Sequence, residues 1–222
     1  MATDYDAMAA AIADEAGDSA LTSQIQECIL RARRKYDRKR FYFNEKTNTF
    51  ATVASQEYYG SSDLADIPNL ISIDDMKILI DSSATYPLTP LDFGIMDGIQ
   101  TGQVFADPNN YAYFGQRIRL YPIPSAVRTI TMAYHYRAPD PTFGGTVSDI
   151  WTQNAYDLIK AAAARFLHRH YTKEDDEVTR AGQAEAEALS DIAAEGRRRI
   201  SNGVLRTDIP MRRERLWITR GW

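Results

Sequence analysis

The sequence is poor in the residues that carry most enzyme chemistry. It has one cysteine, Cys28, and three histidines among 222 residues. A single cysteine cannot form an internal disulfide or a thiolate metal cluster, which fits folding in a reducing cytoplasm. No apolar run approaches the roughly 20 residues that a membrane span needs. Residues 1–15 lack a basic stretch and carry several acids, so we predict no secretory signal there.

The few candidate catalytic residues are poorly spaced for chemistry. His168 and His170 lie two positions apart, which places them on different sides of a helix and prevents a shared metal ion. Cys28 falls on an apolar helix stripe, where packing is favoured over nucleophilic attack. Gly144-Gly145 and residues 94–102 lack the strand–glycine–helix spacing of a nucleotide-binding loop. We therefore predict no enzyme activity, no metal and no cofactor.

Charge is segregated along the chain. The net charge is only -4, yet residues 31–40 hold seven basic side chains against one acid. Residues 197–222 hold eight basic residues against two acids, which leaves 11 basic and 27 acidic residues elsewhere. Such blocks mark surfaces that meet opposite charge, or they are solvated helix ends.

Helical periodicity appears at both ends of the chain. Asp4–Glu15 and Ser23–Arg40 are predicted helices, the second with a capping box formed by Ser23 and Gln26. The period returns at Trp151 and runs to about Tyr171, and a further helix follows to about Arg199. We expect Glu185 to interrupt the apolar face of that last helix. The two C-terminal helices are predicted to form an antiparallel hairpin.

The middle of the chain has strand and turn chemistry. A two-residue turn at Gly115-Gln116 indicates a hairpin, and residues 92–100 resemble a short helix. The predicted strands are Thr49–Val53, Leu70–Asp74, Met76–Ile80, Tyr111–Phe114, Arg117–Tyr121 and Thr129–Tyr136.

This order predicts an α+β fold, in which a helical bundle from both ends carries a central β-rich insertion and an extended C-terminal tail. The expected segments are 1–44 and 149–202 for the bundle, 45–148 for the insertion and 203–222 for the tail.

The tail, residues 203–222, combines arginines with tryptophans beyond the last helical period. Either it folds back on its own domain or it docks on another protein, and docking is favoured because tryptophan and arginine are enriched at binding hot spots. The candidate contact residues are Arg212, Arg213, Arg215, Leu216, Trp217, Ile218 and Trp222.

The basic segment, residues 31–40, leaves two interpretations open. Residues 32–43 interleave basic and aromatic side chains, as nucleic-acid surfaces do, so one alternative is a nucleic-acid-binding module. The other is a helix end whose aromatic residues anchor in the core. We also expect complementary charged faces between neighbouring subunits, with Arg33, Arg34 and Arg38 on one side and Glu174, Asp175, Asp176 and Glu177 on the other.

Three segments resemble the head-to-tail adaptor proteins of tailed bacteriophages, of the short-tailed type. They are FATVASQEYYGSSDLADIPNLISIDDMKI (residues 50–78), YAYFGQRIRLYPIPSAVRTITMAYHYRAP (residues 111–139) and DIWTQNAYDLIKAAAARFL (residues 149–167). The resemblance extends over roughly residues 20–200 and rests on structural rather than catalytic residues.

The resemblance implies a structural virion protein in the neck between head and tail, assembled in the host cytoplasm. Its partners would be the portal, a tail nozzle or tail tube protein, and further copies in a ring, usually twelvefold. Viral DNA would pass through the channel without specific binding, and no membrane would be involved. Adaptors of this kind grip the portal with a C-terminal extension, which assigns that role to the tail. A virion-borne cell-wall hydrolase is a third, less favoured alternative.

Overall fold

Helices lie at both ends of the chain and strands lie between them, which confirms the predicted α+β fold. A computed structural model describes residues 4–80, 84–99, 102–145 and 149–201; the predicted tail lies outside these residues. The helices are α1 (Tyr5–Ala16), α2 (Thr22–Tyr36), α3 (Phe93–Ile99), α4 (Ile150–Asn154), α5 (Tyr156–Leu167) and α6 (Asp175–Ser201). The strands are β1 (Glu45–Ala51), β2 (Tyr58–Tyr59), β3 (Leu70–Leu79), β4 (Thr85–Pro87), β5 (Thr89–Pro90), β6 (Phe105–Ala106), β7 (Asn110–Phe114), β8 (Arg117–Tyr121), β9 (Ile123–Pro124) and β10 (Thr129–Tyr136).

The second helix is shorter than its apolar stripe predicts. It begins at Thr22, and the Ser23 hydroxyl donates to Gln24, so the predicted capping box is wrong. The helix ends at Tyr36 because the Asn44 side chain holds the following segment in a turn. That side chain accepts from the Phe41 amide at 2.8 Å and donates to the Lys39 carbonyl at 2.9 Å. The last four residues of the basic segment, 37–40, therefore lie outside the helix.

The helix predicted from Trp151 to Tyr171 is interrupted. Asp149 and Thr152 form a capping box that starts α4, and the backbone leaves helical geometry at Ala155 before α5 begins. After α5, a π-helical turn (His168–Thr172) leads to Lys173, whose φ of 58° ends the turn before α6. The separation of the last two helices near Lys173 was predicted; the break at Ala155 was not.

The first and last long strands of the insertion are neighbours. Sheet order is β1-β10-β3-β4, and all three pairings are antiparallel. The Tyr136 amide donates to the Asn44 carbonyl at 3.2 Å, just where the chain leaves and rejoins the bundle. The insertion is thus attached to the bundle by two adjacent, hydrogen-bonded strands.

The two strands predicted over residues 70–74 and 76–80 are one strand, β3. Its pairing with β10 shifts register between Ala133 and Tyr134, which leaves Asp74 as an extra residue. Such a bulge re-aims a side chain, and the Asp74 carboxylate accepts two hydrogen bonds from Arg40, at 2.9 and 2.7 Å. The predicted division into two strands is therefore wrong, and a bulge at Asp74 lies within one continuous strand.

A second sheet completes the insertion, with order β2-β8-β7-β5. Its β7–β8 hairpin turns at Gly115 and Gln116, where φ is 60° and 62°. Two consecutive positive φ values are typical of a type I′ turn, whose twist matches that of the flanking strands. The prediction of this hairpin is confirmed. The short strands β6 and β9 pair separately, in parallel.

The buried residues form two clusters, one in the bundle and one in the insertion. Tyr136 packs against both and so lies where they meet. The bundle core includes Tyr5, Met8, Ile12, Ile25, Cys28, Ile29, Trp151, Leu158, Ile159 and Leu167. The insertion core includes Phe50, Tyr59, Met76, Ile78, Ile118, Leu120, Ile130 and Met132. The expected boundaries at 44, 148 and 202 stay predictions.

Candidate functional site: the charged surfaces

Arg33, predicted to lie on an exposed face between subunits, is instead fully buried, with 0% of its surface exposed. Its position on α2, four residues after Ile29, points it into the bundle core. There it forms an ion pair with Asp37, and its Nε donates to the Tyr5 hydroxyl at 3.2 Å. Its guanidinium carbon lies 4.4 Å from the centroid of the Trp151 ring. The surface position expected for Arg33 is therefore wrong, because its partners lie inside the subunit.

Asp149 joins the buried arginine to the start of the C-terminal helices. Its Oδ1 accepts from the amides of Trp151 and Thr152, both at 2.9 Å, and so caps α4. Its Oδ2 accepts from the Tyr5 hydroxyl at 2.8 Å and lies 3.7 Å from the Arg33 guanidinium. One carboxylate thus connects α1, α2 and α4, and we call Tyr5, Arg33, Asp37, Asp149 and Trp151 the junction cluster.

Most of the remaining basic segment is neutralised within the subunit. Arg38 is exposed and forms no ion pair with any described residue, while Lys39 lies 5.1 Å from the centroid of the Tyr36 ring. Basic side chains that already pair with carboxylates attract the phosphates of nucleic acids only weakly. The internal pairing of this segment therefore disfavours the nucleic-acid alternative. The ion pairs are Arg31–Glu27 at 2.6 Å, Arg34–Asp140 at 3.3 Å, Lys35–Glu185 at 2.5 Å, Arg40–Glu45 at 2.6 Å and Arg40–Asp74 at 2.7 Å.

Glu185 lies within the apolar face of α6 that it was expected to interrupt. Only 4% of it is exposed, and its carboxylate is shared by Lys35 and Tyr36, both at 2.5 Å, and Arg165 at 2.8 Å. Burial alone would raise the pKa of Glu185, but these three hydrogen bonds outweigh it and lower the pKa below its ordinary value. The Glu185 carboxylate thus connects α6 to both α2 and α5.

The predicted acidic face has a local explanation at the start of α6. Asp175, Asp176 and Glu177 occupy its first turn, where the helix dipole stabilises negative charge. Glu177 also pairs with Arg180 at 2.7 Å. Glu174, just before the helix, is exposed and lies 3.7 Å from the His168 ring. Exposed Asp175 and Asp176 remain available to a neighbour of opposite charge.

The insertion presents exposed apolar side chains around α3 and the β7–β8 hairpin. Phe114, 63% exposed, stacks on Phe93 with ring centroids 4.6 Å apart. Ile95 and Ile99 of α3 are also exposed. Large apolar side chains grouped on one part of a surface are typical of contacts with other proteins.

Reactive side chains are placed as packing residues. Cys28 is buried, as predicted, and burial raises the pKa of its thiol to about 11. His168 hydrogen-bonds Thr172 at 3.0 Å, while exposed His170 stacks on Phe166. Within the described residues, no group of three or more His, Cys, Asp or Glu side chains could hold a metal ion. No helix described here is long and apolar enough to cross a membrane.

We predict that Arg33→Ala lowers the free energy of unfolding by about 3 kcal/mol, because it removes the buried partner of Asp37 and Asp149 and leaves Asp37 with only the more exposed Arg137, at 3.2 Å, as a counter-charge. Urea denaturation followed by circular dichroism measures the change. The matched control is Arg34→Ala, since Arg34 is 60% exposed and its pair with Asp140 contributes less than about 1 kcal/mol. Equal losses in the two variants would contradict a buried role for Arg33.

Glu185→Gln is expected to lower the free energy of unfolding by about 2 kcal/mol at pH 7, because it weakens three hydrogen bonds to one charged group. The folded pKa of Glu185 is depressed, so its stabilising charge is fully present above the ordinary value of 4.5 and is lost as pH falls through the folded pKa. The difference between wild type and Glu185→Gln should therefore shrink below pH 4.5.

The control for this pH dependence is Glu177→Gln, which removes a more exposed pair and should change stability by less than about 1 kcal/mol. Denaturation curves at several pH values compare the three proteins. A gap between wild type and Glu185→Gln that stays constant into acid would refute the role of the Glu185 charge.

Comparison with known proteins places these surfaces in context. A search of curated protein sequences finds no match to this chain. The sequence model of the SU10 adaptor protein family matches residues 3–208, which include both helical ends and the whole insertion. The predicted likeness to phage adaptors is thereby confirmed, and the chain belongs to the SU10 adaptor protein family.

Proposed function

We propose that this chain is a structural subunit of a bacteriophage head-to-tail adaptor ring, which links the portal to the tail and continues the DNA channel. The observation that carries the proposal is the family match over residues 3–208. In the structure, most basic side chains of residues 31–40 form ion pairs within the subunit. Such internal ion pairs suit a structural protein, whose folded shape holds its contact surfaces in place, rather than an enzyme.

The proposed partners are the portal, a tail nozzle or tail tube protein, and about eleven further copies that close the ring by head-to-tail contacts. Viral DNA passes through without specific binding, and the protein acts without enzymatic activity or cofactor in the virion neck, after assembly in the host cytoplasm. The proposed inter-subunit residues are now the exposed ones, Arg34 and Arg38 facing Glu174, Asp175, Asp176 and Glu177 of the next copy. Arg33 no longer belongs to this set.

The ring is tested by mass measurement and negative-stain microscopy of the purified chain with and without portal. We expect particles of about twelve subunits on the portal. The alternative, a nucleic-acid-binding module using residues 31–40, predicts a salt-sensitive affinity for DNA in the absence of portal. Particles with no cyclic symmetry on the portal would exclude the ring.

The tail is the proposed portal-binding element, through Arg212, Arg213, Arg215, Leu216, Trp217, Ile218 and Trp222. Its 20 residues reach roughly 60 Å when extended, far enough to cross to a neighbouring protein. Pro210 and β-branched Ile218 suit an extended conformation that adds to a sheet edge or lies in a groove. The tryptophans would fill apolar pockets while the arginines pair with carboxylates of the portal.

We predict that deletion of residues 204–222 abolishes portal binding and leaves the far-ultraviolet circular dichroism of the bundle in place. Trp217→Ala alone should weaken binding about 30-fold, since truncation of a central tryptophan typically costs about 2 kcal/mol or more. Surface plasmon resonance on immobilised portal measures both. Tyr86→Ala, at an exposed aromatic residue of the insertion, is the control. A deletion that unfolds the domain would show that the tail belongs to its own core.

A further inference from the structure

A groove runs between α5 and α6 on the surface of the bundle. The helices are antiparallel, since Arg165 near the end of α5 meets Glu185 while the start of α5 lies beside the later part of α6. Two hollows of about 510 and 400 Å³ lie along this seam. Both include Asp157 and Ala184 in their walls, so they form one continuous groove. Its floor is methyl-rich, lined by Ala155, Ala161, Ala164, Ala181, Ala184 and Ala188.

One half of the groove carries uncompensated negative charge. The hollow nearer the end of α6 is lined by Asp157, Glu187, Asp191 and Glu195 and by no basic residue. Glu195 pairs with Arg199 at 2.6 Å, whereas the other three form no ion pair with any described residue. The basic segment differs, because most of its charges are paired. Acidic walls above an alanine floor favour a ligand that has both cationic and apolar side chains.

The tail of the same chain has this chemistry. Residues 203–222 carry five arginines against two acids, together with two tryptophans. Hollows of about 510 and 400 Å³ over a floor of alanine methyl groups have room for an indole ring. The tail begins two residues after α6, which is itself one wall of the groove. Asn202-Gly203 is a dipeptide that suits reversal of the chain.

The distances also suit the same chain. Glu177 and Glu195 mark the two ends of the groove wall on α6 and are about 27 Å apart along the helix axis. An extended tail of roughly 60 Å covers this length after the chain has turned. Because the tail is tethered beside the groove, its effective concentration there is about millimolar, well above that of a second copy in solution.

We propose that the α5–α6 groove is the docking surface for the subunit's own tail before the subunit meets a partner. The arginines of the tail lie against Asp157, Glu187 and Asp191, and its apolar side chains lie on the alanine floor. A partner that binds the tail must first displace it from the groove. The docking is intramolecular and holds whether or not the tail later binds portal, so its test needs no partner.

Limited trypsin digestion of the full-length protein tests the proposal, because trypsin cuts after the tail arginines only when the tail is undocked. The groove variant is Asp157→Asn, Glu187→Gln and Asp191→Asn together. It should release fragments ending at Arg212, Arg213 or Arg215 about tenfold faster than wild type, since each exposed charge pair contributes a factor of about two. Intact-mass spectrometry follows the release.

The matched control is Asp14→Asn, Asp18→Asn and Asp92→Asn, which changes the net charge equally at exposed acids outside the groove. Its tail should be cut at the wild-type rate, and circular dichroism should show all three proteins folded. High salt should accelerate cleavage of the wild type but not of the groove variant. Equal cleavage of wild type and groove variant would overturn the proposal.

Protein concentration separates docking within the subunit from docking between copies. Protection of the tail should be unchanged over a roughly hundredfold range of concentration, with a monomeric mass throughout. Protection that rises with concentration alongside dimers would assign the groove to the tail of a second copy and overturn docking in the same chain.

Discussion

A buried positive charge must be met by negative groups, and the bundle is arranged around this requirement at Arg33. The arginine is out of contact with water, so Asp37 and the Tyr5 hydroxyl replace the solvent it has lost. Asp149 then links that network to the first turn of α4. Residues from distant parts of the chain are held in one geometry because any of them, left alone, would be an unpaired buried polar group.

The same logic recurs with opposite sign at Glu185. There a buried carboxylate accepts hydrogen bonds from a lysine, a tyrosine and an arginine of two neighbouring helices. Replacing such clusters by apolar residues often costs little stability, so their value lies elsewhere. They fix which helix face meets which, and so give the bundle one defined arrangement of its helices.

Local patterns predicted much of the fold. The strand at Thr129–Tyr136 and the hairpin at Gly115-Gln116 follow from alternation and turn chemistry alone. The burial of Arg33 and Glu185 did not, because it depends on partners more than a hundred residues away in sequence. A signal was present in each case, since both residues fall on the apolar stripe of their helix. A charged residue on such a stripe indicates a buried pair, rather than a gap in the stripe or an exposed face.

The adjacency of β1 and β10 has a consequence for how such a protein diversifies. The chain leaves the bundle at Asn44 and returns at Tyr136, and these two residues are joined by a backbone hydrogen bond. A segment whose ends already touch can be lengthened or shortened with little change in loop-closure entropy, since that entropy grows only slowly with length. The bundle therefore places few demands on the size of the insertion. Selection can therefore remodel the insertion while the helices of the bundle stay as they are.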